Sequence, residues 1–244
     1  MPGEHPEADA PIGALVREPL PQTIRRVALP AIAANLLMTT FHTVDTFWIG
    51  RYLGADSLAA VTGSIFWIWL VISIGEMVSI GVDAIAARRH GERRPREAGR
   101  AVGDGVVFGA ALGLAVALAA PFAMTTLFAI MQTNTAVTVI GERYLGAYLL
   151  GMPLIFAFFA VDAAFRAAGD TRTPLYILLC TVAMGLLLDP LLILGAGPIP
   201  AMGVRGAALA TIVPRGVACV LGVWLLRRRG MISVGAPRLS LIHI

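Results

Sequence analysis

Lysine is absent from this 244-residue chain: all nineteen of its basic residues are arginine. A P-loop needs a lysine to reach the nucleotide phosphates, so no nucleotide-driven motor of that kind is present. Schiff-base chemistry through lysine is excluded on the same ground. Charge of either sign is scarce, at 14% of residues against about 25% in an ordinary soluble domain. The two cysteines, Cys180 and Cys219, both sit in apolar runs, where they read as small buried hydrophobes. They are too few for a disulfide framework or a zinc site. The four histidines are scattered, so neither a metal-binding set nor a Ser/His pair argues for a membrane-embedded enzyme. No cofactor or metal site is expected. No segment alternates polar and apolar residues with period two, which argues against a transmembrane β-barrel.

What the chain has instead is apolar length. Hydrophobic residues make up 57% of it, and its mean hydropathy is +0.79. Apolar segments run over about 27–49, 58–86, 101–130, 136–165, 174–196 and 203–226, and at about 20 residues per span they predict six transmembrane helices. The fold class is an all-α membrane protein, a six-helix bundle over 24–229. Residues 1–23, rich in Pro, Glu and Ala and without an apolar core, are expected to be a disordered cytoplasmic tail rather than a cleavable signal peptide. Residues 230–244 are expected to be a second tail, with PRLSLIHI resembling a truncation edge.

Arginine placement sets the expected orientation. With the N-terminus inside, fifteen arginines fall on the inner side, three (Arg51, Arg143 and Arg205) on the outer side, and Arg215 within a span. The positive-inside rule then puts both termini in the cytoplasm, as an even number of spans requires. The inner segment ARRHGERRPREAGR at 87–100 reads as an orientation signal in contact with lipid headgroups, not as a nucleic-acid patch. Pro30, Pro153, Pro190 and Pro214 lie within or near span ends and favour kinks. Frequent Gly and Ala allow close helix approach.

The acids inside apolar runs are the informative residues: Asp45 in TTFHTVDTFWIG, Glu76 in ISIGEMVSIG, Asp162 in FAFFAVDAAF and Asp189 in GLLLDPLLILG. A charge at the bilayer centre costs about 2.5–3.5 kcal/mol on insertion scales, so an intramembrane acid is a functional candidate by default. At helical rise, Asp45 lies roughly 27 Å and Asp189 roughly 22 Å from the inner ends of their spans, in the outer half at comparable depth. Two carboxylates there would share a water-filled pocket and make a proton-loaded state accessible. Pro190 beside Asp189 offers a bend for that change to bias. Asp162, only four residues from Arg166, is a weaker candidate for cation coupling, and Glu76 is a weaker candidate still, for the cavity or for pKa tuning. Asp83, near the inner arginines, reads as a surface ion-pair partner. Arg215, roughly 18 Å from Arg227 at helical rise, needs a buried carboxylate or a water-filled cavity and would oppose proton loading nearby. His42 is three residues before Asp45 on the same helical face and reads as a satisfied core histidine or as a group that tunes that acid. Trp48, Tyr52, Phe66, Trp67 and Trp69 read as an interfacial belt, or as a wall for aromatic cations.

These residues resemble the N-terminal half of the multidrug and toxic compound extrusion (MATE) family over about 22–229. The matching pieces are ALPAIAANLLMTTFHTVDTFWIGRYLGADSLAAV at 28–61, AARRHGERRPREA at 86–98, FRAAGDTRTPLY at 165–176, LLLDPLLILG at 186–195 and MGVRGAALAT at 202–211. The resemblance implies one six-helix lobe of a twelve-helix transporter in the inner membrane, exporting amphipathic, often cationic compounds in exchange for H⁺ or Na⁺. It also implies a missing second lobe or a homodimer partner. Asp45 and Asp189 match acids implicated in cation coupling in that family, with Na⁺ at their cluster possible; Asp162 falls where a further polar cluster residue, often Asn, can stand. Two departures stand out: Gly185 where relatives often carry Asn, and Arg215 where a neutral residue such as Gln is usual. A lipid-linked oligosaccharide flippase of the same wider superfamily and a non-transporting membrane subunit are the alternative readings.

Overall fold

The computed structural model describes residues 20–233, with the side chains of residues 20–27, 30 and 31 outside the description. The tails expected at 1–23 and 230–244 therefore lie outside it except at their inner edges. Helix begins at Leu20, inside the expected N-terminal tail, and the chain after the last helix turns back so that the Ser233 amide donates to the Gly99 carbonyl at 2.9 Å. Seven helices follow in order: α1 Leu20–Leu53, α2 Ala55–Gly91, α3 Pro95–Ile130, α4 Thr135–Leu150, α5 Met152–Ala167, α6 Arg172–Leu194 and α7 Val204–Arg228. Among the described residues the only β-pairing is one isolated bridge, Ala196 with Ile199, in the α6–α7 connection.

Five of the six expected spans appear as α1, α2, α3, α6 and α7. The fourth, expected to run unbroken over 136–165, is two helices, α4 and α5, bent by 48°. The reason lies at Gly151 and Pro153. A Cβ on Gly151 would stand 2.5 Å from Ile212 Cγ2 of α7, so the position is held by close approach. Two residues on, Pro153 has no N–H to continue the α4 ladder. The new helix starts instead from the Gly151 carbonyl, which accepts from the Leu154 and Ile155 amides, both at 3.1 Å. By contrast α6 and α7 continue through Pro190 and Pro214, and α3 through Pro121. Among the described residues four helices are each long and apolar enough to cross a membrane, and the bent pair makes a fifth such unit. At 34 residues, or about 50 Å of helix, α1 is long enough as well, but it carries a polar stretch.

That stretch explains how α1 tolerates apolar surroundings. The hydroxyls of Thr39, Thr40, Thr43 and Thr46 donate to the carbonyls of Asn35, Leu36, Thr39 and His42 at 2.7–2.9 Å. Each is satisfied within its own helix, which removes the cost of an unpaired hydroxyl.

The packing centres on α5, where Phe156, Ala160, Val161, Ala163 and Phe165 are fully buried. It is approached from one side by α3, through glycines spaced four apart in GVVFGAALG. An added Cβ would stand 2.7 Å from the Phe156 carbonyl oxygen at Gly109 and 2.4 Å from that of Met152 at Gly113. The two backbones are thus in near contact, the small-residue packing that drives helix association where no hydrophobic effect is available. From the other side Gly222 of α7 admits Val161, whose Cγ1 would meet an added Cβ at 2.4 Å. Replacing Gly113 by Ala is expected to cost about 1–3 kcal/mol through overpacking. Gly81→Ala, with nothing within 4 Å, is expected to be neutral or slightly stabilising. Thermal unfolding in detergent distinguishes the two, and equal melting temperatures would refute the close α3–α5 contact.

Candidate functional site

The structure brings Asp45 of α1 and Asp189 of α6 into one buried cluster. Asp45 is 7% exposed and Asp189 is fully buried, and each acid lies within electrostatic reach of the other. Asp45 Oδ1 and both Asp189 carboxylate oxygens are enclosed with no hydrogen-bond donor among the described residues. Two residues that sequence reasoning passed over complete the surroundings. Tyr144 of α4, 4% exposed, lies within electrostatic reach of both acids, and Tyr148, likewise 4% exposed, stands beside Tyr144 with ring centroids 6.2 Å apart. The electrostatic neighbours of Tyr144 are Asp45, Tyr148, Arg215 and Asp189. Its signal in the sequence was a pair of tyrosines four apart, hence on one face of an otherwise apolar helix.

Phe41 forms the floor of this cluster. It stands one turn before Asp45, is 5% exposed, and lies against α6 where Gly185 leaves space. A Cβ on Gly185 would meet Phe41 Cε2 at 2.6 Å. The missing side chain at 185 is therefore filled by the Phe41 ring, and an Asn there has no room unless that ring moves.

Below Phe41 a chamber of about 550 Å³ opens between α1, α5, α6 and α7. Its apolar walls include Phe41, Phe158, Phe159, Leu175, Leu178 and Val182, and its polar lining includes Asn35, Asp162, Arg166, Thr181 and Arg215. Asp162 thus does not join the other two acids; it lines the chamber, ion-paired with Arg166 one turn along the same helix. Arg166 also donates to Ser79 Oγ at 2.9 Å and lies 3.8 Å from Asp83, so Asp83 pairs with α5 rather than with the arginine-rich loop. Arg215 of α7 lines the chamber and is also the cation nearest in effect to Asp45 and His42. His42 is exposed on α1, its ring packed edge-on against Phe41 at 5.6 Å. Glu76 is exposed on α2, apart from cluster and chamber, with no ion pair among the described residues.

The aromatic wall comes from Phe41, Phe158 and Phe159, not from the tryptophans. Phe66 and Trp69 are each 71% exposed on the outer face of α2, Trp48 stacks on Tyr52, and the Trp67 indole donates to Met131 Sδ. The FAFFAVD run held the signal, because Phe158 and Phe159 stand four and three residues before Asp162 and share its face. No group of three or more His, Cys, Asp or Glu residues able to hold a metal occurs among the described residues.

At the arginine-rich end, Arg88 and Arg89 both donate to Glu92, at 2.9 and 2.8 Å, and hold its carboxyl below the usual range. Asp170, in the α5–α6 turn, is built more deeply. It accepts from the Arg172 and Thr173 amides at 3.1 and 3.0 Å, from Thr173 Oγ1 at 2.5 Å and from Arg229 Nη1 at 2.6 Å. Partial burial alone would raise its carboxyl, but the Thr173 and Arg229 bonds outweigh that and hold it low.

An all-helical bundle that crosses the membrane repeatedly, with buried acids above an apolar chamber, has the build of a membrane transport protein. A family model described as MatE matches residues 30–191, and the chain belongs to that family of transporters. It is 28% identical over 202 residues to a probable multidrug resistance protein, YoeA, of Bacillus subtilis, covering 82% of this chain and 44% of the relative. It is also 28% identical over 212 residues to a protein of Shewanella oneidensis named FAD transporter, covering 87% of this chain and 47% of the relative. In structure it resembles a MOP superfamily transporter from Pyrococcus furiosus, with a TM-score of 0.81, 22% identity, and coverage of 96% of this chain and 50% of that one. The chain spans less than half the length of the curated relatives it matches here.

Two substitutions test the geometry. Gly185→Asn is expected to cost about 1–3 kcal/mol, because Phe41 must be displaced; a variant as stable as wild type in thermal unfolding would show that the ring is not held there. Asp170→Asn is expected to cost about 1.5–3 kcal/mol at neutral pH, the range for hydrogen bonds to charged groups, and less to the extent that solvent screens the Arg229 pair. Because the Asp170 carboxyl is held low in the folded chain, its stabilisation is present above the ordinary carboxylate range and lost as pH falls through its folded value. Melting temperatures of wild type and variant should therefore differ at pH 7 and converge as pH falls through the lowered folded value of the Asp170 carboxyl; a constant difference would refute the ionic latch.

Proposed function

We propose that the chain forms the N-terminal lobe of a secondary antiporter that exports amphipathic compounds in exchange for H⁺ or Na⁺. It would lie in the inner membrane with both termini cytoplasmic. The observation that supports this reading is the cluster of three enclosed carboxylate oxygens on Asp45 and Asp189 with no donor among the described residues. An ionised carboxylate in an apolar interior is costly unless a cation or a proton accompanies it. Two such groups from helices on facing sides of the cluster therefore make a site whose stable state is a loaded one. Loading changes the charge directly above Phe41, and Phe41 also lines the chamber. Ion occupancy and chamber shape thus share one side chain. Asp162, held by Arg166, contributes to the chamber instead of the ion cluster. His42, packed on Phe41, is placed to sense the same movement. Pro190, directly after Asp189, leaves the Leu186 carbonyl without its usual helical donor, so α6 is weakest beside the acid.

Asp45→Asn and Asp189→Asn remove the charge while keeping the shape. Each is expected to abolish gradient-driven efflux of a fluorescent amphipath from vesicles while membrane insertion stays normal. Dissipating the H⁺ and Na⁺ gradients separately identifies the ion. Undiminished efflux in both variants would overturn the assignment of these acids.

A further inference from the structure

Arg215 is the one feature of the chamber that the antiport reading leaves unexplained. A guanidinium carries five N–H donors, and among the described residues Arg215 uses one, to the Thr211 carbonyl at 3.3 Å. No carboxylate among the described residues lies within ion-pair distance of it, although Asp45 is within electrostatic reach. The other cation of the chamber is differently placed: Arg166 is engaged by Asp162, Ser79 and Asp83. Among the described residues the single carboxylate lining the chamber is therefore already neutralised, and their lining carries one excess positive charge, at Arg215. Around that charge the walls are apolar and aromatic, from Phe41, Phe158 and Phe159 to Leu175 and Leu178.

We propose that the chamber binds a small amphipathic anion, with one carboxylate or sulfonate head on the Arg215 guanidinium and a flat or branched apolar body against Phe158, Phe159, Leu175 and Leu178. This rests on the transport reading and narrows it to a substrate class. Three considerations support the choice. A charged side chain at this depth is normally matched by a partner or a water-filled cavity, and the planar fork of arginine suits a carboxylate or sulfonate with two oxygens. The volume of about 550 Å³ is that of a drug-sized ligand, not of a two-tailed lipid. An organic cation, by contrast, would meet the Arg215 guanidinium with no carboxylate among the described lining residues that is free of an arginine partner.

The test uses the full chain in phosphatidylcholine nanodiscs without an ion gradient, with the signal of protein-free discs subtracted. The probes are 1-anilinonaphthalene-8-sulfonate and N-phenyl-1-naphthylamine, which share their rings and differ by the sulfonate. The sulfonate should bind saturably, and Arg215→Met should weaken it at least about tenfold, as loss of a charge-assisted contact implies. Arg215→Lys should fall between the two, weaker than wild type because it loses the fork and tighter than Arg215→Met because it keeps the charge. The neutral amine should be unaffected by either change. Sulfonate binding unchanged in Arg215→Met, or both probes weakened equally, would overturn the proposal. If Arg215→Met does not fold, the wild type still decides: an amine bound as tightly as the sulfonate refutes an anion site. Phosphatidylglycerol doped into the discs at constant ionic strength should not displace the sulfonate; displacement would assign Arg215 to a lipid headgroup and overturn the small-anion assignment. Because the readout is equilibrium binding, its failure leaves the antiport reading standing, and loss of coupling in the Asp45 and Asp189 variants leaves this one standing.

Discussion

The near contact of the α3 and α5 backbones is the constraint on which the rest of the bundle depends. Gly109 and Gly113 bring α3 against the Phe156 and Met152 carbonyls, and this fixes α5 as the buried axis. Lipid supplies no hydrophobic drive between helices, so the contact has to be made by shape. Once α5 is central, α7 can pack along its other side at Gly222, and the Gly151–Pro153 break lets α4 swing away at 48°. That swing brings Tyr144 to the acid cluster, while the other end of α5 supplies Phe158, Phe159 and Asp162 to the chamber.

The charged residues sort by whether they find partners, because a low-dielectric surrounding makes an unpaired charge far more costly than it would be in water. At the arginine-rich end Glu92 pairs with Arg88 and Arg89, Glu97 with Arg89 and Arg94, and Asp170 with Arg229. Deeper in, Asp162 and Asp83 share Arg166. Asp45, Asp189 and Arg215 stand outside this pattern around Phe41, and Glu76 stands outside it on the exposed face of α2. The buried part of this unrelieved polar cost thus lies between an ion-sized cluster and a ligand-sized chamber.

Much of this was legible in the residues. Helical segments longer than a bilayer is thick, separated by turns with Arg, Gly or Asn, leave little freedom in secondary structure, since lipid-exposed backbone must satisfy its hydrogen bonds internally. The intramembrane acids stood out by cost alone, and a count of helical rise placed Asp45 and Asp189 at similar depth. Rise does not say which way a side chain points, however, so spacing alone does not part Asp162, which lines the chamber, from Asp45 and Asp189. Glu76 was equally conspicuous by cost and faces outward on α2. The break at Gly151 was hidden because the hydropathy of 136–165 is continuous across it.

The sequence by itself determined an all-helical membrane chain of the MATE type, without lysine chemistry and with a small set of costly buried charges. These follow from composition and one-dimensional spacing, which the medium translates directly into helices and depths. Only the tertiary structure decided which of the charges meet. It joined Asp45 to Asp189, turned Tyr144 toward them, gave Asp162 to Arg166 and left Arg215 facing the chamber. Those outcomes depend on helix rotation and crossing, set by where a glycine lets another side chain in: Phe41 occupies the space that Gly185 leaves, and the boundary between cluster and chamber is drawn by that one contact.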